Sequence, residues 1–478
     1  MRPALLFTAV VTVLLHVATP DVRAQSLPSA APETVGLSGE RLAQITKVFG
    51  AEVEQGKLPG AVVAVARRGK LVYFEAVGYQ DRPADKKMQK DSIFRVYSMT
   101  KPWTSLAAMM LVEDGKIQLT DPVSKFLPAF KQLKVSVAAP NAATGQTTYE
   151  TVPAAREPTI QDLLRHTSGL AYDFITGNVP VKEAYEKNEL KAIEPDIRNK
   201  LTPAEFVERL AKAPLASQPG TQWEYSLSTA LLGRVVEAAS GKPLSKFLAE
   251  RLFQPLGMTD SGFVVASEKA ARIAQPLLPR AFPMFDPTVP PANDLGGEGG
   301  MSTTMDYLRF SEMMLEGGKL DGTRVVSRST VALMTSDHLG ARPSSPVTPG
   351  ELLLGVPGYT FGLGFTVRTA RLEVTRDGVR WGWDALNFTQ SASRLAHAHV
   401  WTDGITLERK RGGTWFLGAR DWDRFEALVR QLRRAELPIQ EHATRAPLRA
   451  RLQSYGRFLD GLLVGSVVSA LFVMMWAL

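Results

Sequence analysis

The chain has 478 residues, a formal net charge of +8, 45% hydrophobic and 22% charged residues, and no cysteine. That length and balance suit one large or two ordinary globular domains and exclude a wholly disordered chain. The missing cysteine removes disulfides, thiolate metal sites, iron–sulfur clusters and cysteine nucleophiles, yet it leaves the compartment open. Six histidines (His16, His166, His338, His397, His399, His442) form no H-E-x-x-H pair, which argues against a histidine-built zinc site. No G-x-S-x-G is present, which argues against an ordinary α/β-hydrolase.

Residues 1–24 carry Arg2, an apolar run from Ala4 to Ala18 and Val22-Arg23-Ala24, the pattern of a secretory signal peptide. Export to the periplasm or beyond is the expectation. From Ser38 to Glu54 apolar residues (Leu42, Ile45, Val48, Phe49, Val53) recur at helical spacing. Gly60–Ala66 and Leu71–Val77 are β-rich runs joined by Arg67-Arg-Gly-Lys70, and they predict a hairpin. A helix is expected after Ser98, ending at Asp114-Gly115. A helical, loop-rich stretch follows from Thr159 to Leu315, and Glu351–Thr369 returns to Gly-punctuated strand character.

Composition changes near residue 370. Residues 1–370 hold 20 Lys and 20 Arg, whereas 371–478 hold one Lys, 15 Arg and six of the eight tryptophans. Short strands are expected at Arg371–Trp383, Leu395–Thr402, Ile405–Arg409 and Thr414–Arg420, with a helix from Trp422 to Glu436. The arginines alternate with acids as on a solvated face, and no nucleic-acid motif accompanies them, so no nucleic-acid partner is expected. After an Arg-rich linker (441–460), Gly461–Leu478 is an 18-residue uncharged run, the lower limit for crossing a bilayer. It is the candidate membrane anchor, although the arginines before it oppose the positive-inside tendency if the main domain is exported.

Ser98-Met-Thr-Lys101 places a hydroxyl and an amine at i and i+3 of one helix face, at a helix start. A serine hydroxyl is a poor nucleophile until a neighbour takes its proton, and a lysine can do so once burial or positive potential disfavours its cation. S-x-x-K alone recurs by chance, so the context decides. Leu163-Leu-Arg-His-Thr-Ser-Gly-Leu170, Pro219-Gly-Thr-Gln-Trp-Glu-Tyr-Ser-Leu-Ser228 and Gly296-Gly-Glu-Gly-Gly-Met-Ser-Thr-Thr-Met-Asp-Tyr307 follow it in order.

Over about residues 30–370 these motifs resemble the serine β-lactamase-like superfamily. The nearest likeness is to its class C-related branch of family VIII carboxylesterases, class C β-lactamases and DD-peptidases. The resemblance implies an α+β fold, an antiparallel sheet flanked by helices with a helical subdomain. A small β-rich C-terminal region and the hydrophobic tail would follow. It implies Ser98 as acylated nucleophile, Lys101 as proton acceptor, Tyr225 as second acid/base and the Ser98 N–H in the oxyanion hole. No metal or cofactor is implied. The substrate would be a small-molecule ester or lactam, and Tyr225-Ser-Leu in place of Tyr-x-Asn favours the ester. His166, Asp260 and Asp306 are read as structural, at turns or helix caps.

The superfamily's third motif (K-T-G, H-x-G or W-x-G) should follow the strand Phe361-Gly-Leu-Gly-Phe365. Trp381-Gly382-Trp383 stands at the expected distance and Lys410-Arg411-Gly412 further on, and neither matches in full. Either 371–440 completes the hydrolase sheet in divergent form, or the hydrolase ends near 370 and an unrelated module follows; the second reading is preferred. The functional expectation is a serine hydrolase of esters. The alternatives are a catalytically impaired penicillin-binding-like envelope protein, or a β-lactamase or DD-peptidase.

Overall fold

The computed structural model describes residues 26–140, 147–192, 196–277, 284–340, 347–355 and 358–368. Beyond these it describes the backbone of strands 371–375, 378–383, 386–391, 395–401, 404–409, 414–418 and 439–441. The predicted signal peptide, the 422–436 helix, the 441–460 linker, the 461–478 tail and Lys410-Arg411-Gly412 lie outside the described residues, apart from Glu441. No described helix is long and apolar enough to cross a membrane.

The fold is α+β, with small, mostly antiparallel sheets among helices. Helix α1 (Gly39–Glu54) starts where Ser38 caps it, its side chain accepting from the Arg41 N–H. Leu42, Phe49 and Val53 form its buried face against the sheet, whereas Val48 is 62% exposed. Val48 precedes Phe49 by one residue, a rotation of about 100° that carries it off the stripe. Strands β1 (Gly60–Arg67) and β2 (Lys70–Asp81) pair antiparallel, as expected, with Gly60 opposite Gly78. Arg68 (φ 54°) and Gly69 (φ 68°) make the left-handed two-residue turn that suits strand twist.

Helix α2 (Thr100–Glu113) lies in the core, and every residue from Trp103 to Leu111 is buried. From Leu106 to Val112 every residue is apolar, as a helix surrounded by protein requires. The Trp103 ring meets Phe253 at 5.0 Å and Tyr307 at 5.4 Å, and α2 packs along the Ser228–Ser240 helix. The stretch 159–315 is made of helices and long loops, as predicted, with a strand, Met301–Thr303, paired with Ile93–Arg95. The sequence reading missed a hairpin of Lys134–Pro140 with Thr147–Pro153.

Near the C-terminal end three expectations are corrected. Residues Pro349–Leu354 form a helix, because Thr348 and Glu351 make a reciprocal capping box. Phe361–Phe365 is not one strand. Tyr359–Phe361 pairs with Thr366–Arg368, and Gly364 (φ 89°) turns the chain between them. Arg371–Trp383 is likewise two strands, which with Leu386–Ser391 make a three-stranded sheet. Leu395–Trp401, Gly404–Arg409, Thr414–Gly418 and Ile439–Glu441 form a four-stranded one.

One ion network ties the loops that reach the site. Asp162, fully buried, accepts from Arg156 (2.5 and 3.1 Å), Arg165 (3.0 Å), Thr167 (2.8 Å) and the capping Thr159. Burial alone would raise its carboxyl, but the Arg156, Thr159 and Arg165 donors outweigh burial and hold it at about 2. Its contribution is therefore present above the ordinary carboxylate range and lost as pH falls through about 2. Asp162→Ala, which strands these donors, should cost about 3 kcal/mol in urea unfolding at pH 7. The gap from the parent chain should close as pH is lowered from 4 towards 2.

Candidate active site

Ser98 lies in the tight turn Tyr97–Met99 that leads directly into α2, and Lys101 lies in the first turn of that helix. Ser98 is half-buried and Lys101 is 3% exposed. The i, i+3 spacing brings Lys101 Nζ to 3.2 Å from Ser98 Oγ. Tyr97, before the serine, adopts φ 39°, an uncommon conformation for a bulky residue.

Lys101 Nζ also donates to the Gly297 carbonyl at 2.8 Å and to Tyr172 Oη at 3.0 Å. These three partners match the three protons of an ammonium, and their chemistry differs. The carbonyl can only accept. The single Tyr172 hydroxyl proton goes to Glu298 Oε2 at 3.4 Å, so towards Lys101 the phenol accepts. Only the Ser98 hydroxyl can either accept from the ammonium or donate to the free amine. A neutral Lys101 keeps its two N–H bonds to Gly297 and Tyr172 and turns its lone pair to Ser98.

The expected second acid/base, Tyr225, is buried with its ring centroid 4.6 Å from Lys101 Nζ. The phenol hydrogen-bonded to the lysine is Tyr172, which the sequence reading did not single out. Its only signal was position, three residues after the glycine of H-T-S-G. The two tyrosine rings stand 5.6 Å apart. Their loops are zipped by Gly220 N–H to Thr167 O (2.7 Å), Ala216 N–H to Gly169 O (2.7 Å), Glu224 N–H to His166 O (2.9 Å) and Leu227 N–H to Ala171 O (3.2 Å). Gly169 at φ 86° allows that approach, since a Cβ there would stand 2.2 Å from the Ser217 carbonyl oxygen.

The Gly-rich run Gly296–Gly300 lies along α2. Thr104 Oγ1 donates to Gly296 O (2.8 Å), and the Gly300 N–H donates to Thr100 Oγ1 (2.9 Å). A Cβ on Gly300 would meet Thr100 Oγ1 at 2.7 Å and the Trp103 ring at 2.9 Å, so any larger residue would push the run, and the Gly297 carbonyl with it, off the helix. Tyr307 Oη donates to the Met99 carbonyl from the far end of the same segment (3.0 Å).

His166 is buried with φ 57°, its Nδ1 3.1 Å from Ser226 Oγ and its ring packed on Tyr225 (4.8 Å) and Phe361 (5.4 Å). Burial, reinforced by the Lys101 charge, holds it well below the ordinary histidine range. It braces the Tyr225 ring, and its hydrogen bonds go to Ser226 and Thr229. Asp260 pairs with Arg272 (2.7 Å) and Lys269 (2.9 Å), while Asp306, in the first turn of the Thr304–Leu315 helix, accepts from the Asp260 N–H (2.8 Å). Of the third-motif candidates, Trp381-Gly382-Trp383 lies in the middle strand of its sheet, Trp381 opposite Leu372 and Phe388.

The sequence pattern of the beta-lactamase family matches residues 45–446. The chain belongs to the beta-lactamase family. Lovastatin esterase of Penicillium rubens is 31% identical over 391 residues, 78% of this chain and 89% of that protein. Esterase EstB of Burkholderia gladioli is 38% identical over 229 residues, 47% of this chain and 52% of EstB. Among solved structures, EstCE1, a hydrolase with promiscuous acyltransferase activity, superposes with a TM-score of 0.53 at 25% identity, covering 83% of this chain and 98% of EstCE1. The family is one of serine hydrolases, with esterases and acyltransferases among the relatives of this chain.

A neutral, bracing His166 has a direct signature. In histidine-detected NMR its imidazole resonances should not move between pH 8 and pH 5, whereas a protonatable catalytic histidine would titrate within that window.

Proposed function

We propose that the chain hydrolyses small-molecule carboxylic esters through an acyl-enzyme on Ser98. Ser98 Oγ attacks the ester carbonyl carbon as its proton passes to Lys101 Nζ. The tetrahedral oxyanion, met by the Ser98 backbone N–H, collapses and expels the alcohol oxygen, which takes a proton relayed from Lys101 through Tyr225. Water then adds to the acyl carbon with the same groups reversed, releasing the acid and restoring Ser98. The observation that carries this reading is the Lys101 hydrogen-bond set, which leaves the amine lone pair only Ser98 to receive a proton from.

The ester preference rests on Tyr225-Ser226-Leu227, which lacks the amide of Tyr-x-Asn, and on the two esterase relatives. The leader-like residues 1–24 support action outside the cytoplasm, in the periplasm or secreted. A second reading is acyl transfer to an alcohol in place of water. The similarity to EstCE1 favours it, as does Phe174, 39% exposed and stacked on Tyr172 at 5.1 Å, where an apolar acceptor could lie.

A fluorophosphonate probe should add to Ser98 in the folded protein, mapped by peptide mass, and Ser98→Ala should lose the adduct. p-Nitrophenyl butyrate turnover should fall at least about 10³-fold in Ser98→Ala and Lys101→Met, and about 10²-fold or more in Tyr225→Phe. A folded protein with neither adduct nor turnover would favour a penicillin-binding-like scaffold. Nitrocefin turnover matching that of the ester would favour a β-lactamase. Adding a primary alcohol should divert part of the acyl product to a new ester if transfer operates.

A further inference from the structure

Among the described residues, one charged group in this site has no part in the chemistry above. Glu298 stands between the glycines of Gly296-Gly297-Glu298-Gly299-Gly300, directly after the carbonyl that holds Lys101. Its Oε2 accepts from Tyr172, and its Oε1 is buried with no hydrogen-bond partner among the described residues. A carboxylate in such a place is costly unless its charge has a use. The titratable groups that face it are Lys101 from α2, and Tyr172 and Asp173 from the loop after Gly169. Tyr225 faces Tyr172, and His166, held neutral, faces Lys101.

Tyr172 has one proton and two neighbours. While that proton is given to Glu298, the phenol oxygen can only accept from Lys101. Were it free to turn, Tyr172 would donate to the lone pair of the neutral amine and compete with Ser98 for it. The same carboxylate faces the cation that forms when Lys101 takes the serine proton, as the buried carboxylate of a serine–histidine–aspartate triad faces its imidazolium.

We propose that Glu298 is a positioning residue that, through Tyr172, keeps the Lys101 lone pair directed at Ser98 and stabilises the ammonium formed during acylation. No proton moves to Glu298. The serine proton resides on Lys101, and Tyr172 keeps its own. Burial pushes the Glu298 carboxyl up to about 6, against the pull of the Lys101 charge, so the carboxylate is present at neutral pH. Tyr172 is held well above the ordinary phenol range, by burial first and the Glu298 charge second, which keeps its proton in place.

This rests on Ser98 and Lys101 acting as proposed above, so the test separates the two. Wild-type and Glu298→Gln proteins are compared for fluorophosphonate labelling and for kcat and KM on p-nitrophenyl butyrate from pH 5 to 10. Glu298→Gln should lower kcat by about 10- to 100-fold with KM within about twofold. Loss of the anion should also move the midpoint of the rising limb to lower pH by about one unit. A profile that superposes on wild type overturns the role of Glu298 and leaves that of Ser98 intact. So does a fall in kcat matched by an equal fall in titratable Ser98 with an unmoved midpoint. Absence of the Ser98 adduct in wild type overturns both. If Glu298→Gln does not fold, Tyr172→Phe removes the link instead and should shift the midpoint in the same direction; an unmoved midpoint there overturns the proposal.

Discussion

The organisation of the site depends on one buried cation. Lys101 is 3% exposed, and an ammonium removed from water must have each of its protons met or it costs several kcal/mol. Ser98, Tyr172 and Gly297 meet them, and these three come from separate stretches of chain. The requirement to solvate one lysine from within therefore draws together the start of α2, the loop after His166 and the glycine run before Met301. The arrangement that satisfies the cation also leaves the lone pair of the free amine facing the Ser98 hydroxyl.

Each of those three stretches is anchored away from the lysine. The glycine run is fixed to α2 by the Thr100 and Thr104 hydroxyls, and close packing against Thr104 at Gly296 and against Thr100 and Trp103 at Gly300 demands that neither carry a side chain. The loop with Tyr172 is bound along 216–227 by four backbone hydrogen bonds, and its entry is held by the Asp162 network. Beneath all of them α2 is wrapped by the Ser228–Ser240 helix and by the rings of Phe253, Tyr307 and Phe310 around Trp103. Rigid support of this kind holds the Ser98–Lys101 hydrogen bond within about 0.5 Å of one geometry, as a preformed site requires.

Two tyrosine rings stand beside Lys101, and their surroundings differ. Tyr172 is committed at both ends, accepting from Lys101 and donating to Glu298. Tyr225 lies with its ring near Lys101, braced by His166. His166 is thus tied to the site through packing and not through a proton, in keeping with its turn conformation and the neutral state that burial imposes.

Much of this was legible in the sequence because it is local. The i, i+3 spacing of Ser98 and Lys101, the helix from Ser38 to Glu54, the hairpin turning at Arg67–Lys70 and the helix ending at Asp114-Gly115 follow from contacts within a few residues, where spacing and rotamer geometry leave little choice. The sequence alone also offered Ser98 as the candidate nucleophile in a chain without cysteine, and the ordered motifs that carry the family. It misread places where local signals compete: the Thr348–Glu351 capping box made a helix of a segment with strand character, and Gly364 broke the strand expected at Phe361–Phe365. What only the tertiary structure decided is which groups surround the lysine. Tyr172 and Glu298 lie 71 and 197 positions beyond Lys101, so no periodicity links them to it. Their roles arise from desolvation, which makes every donor of a buried cation find its acceptor among whatever the folded chain brings within reach.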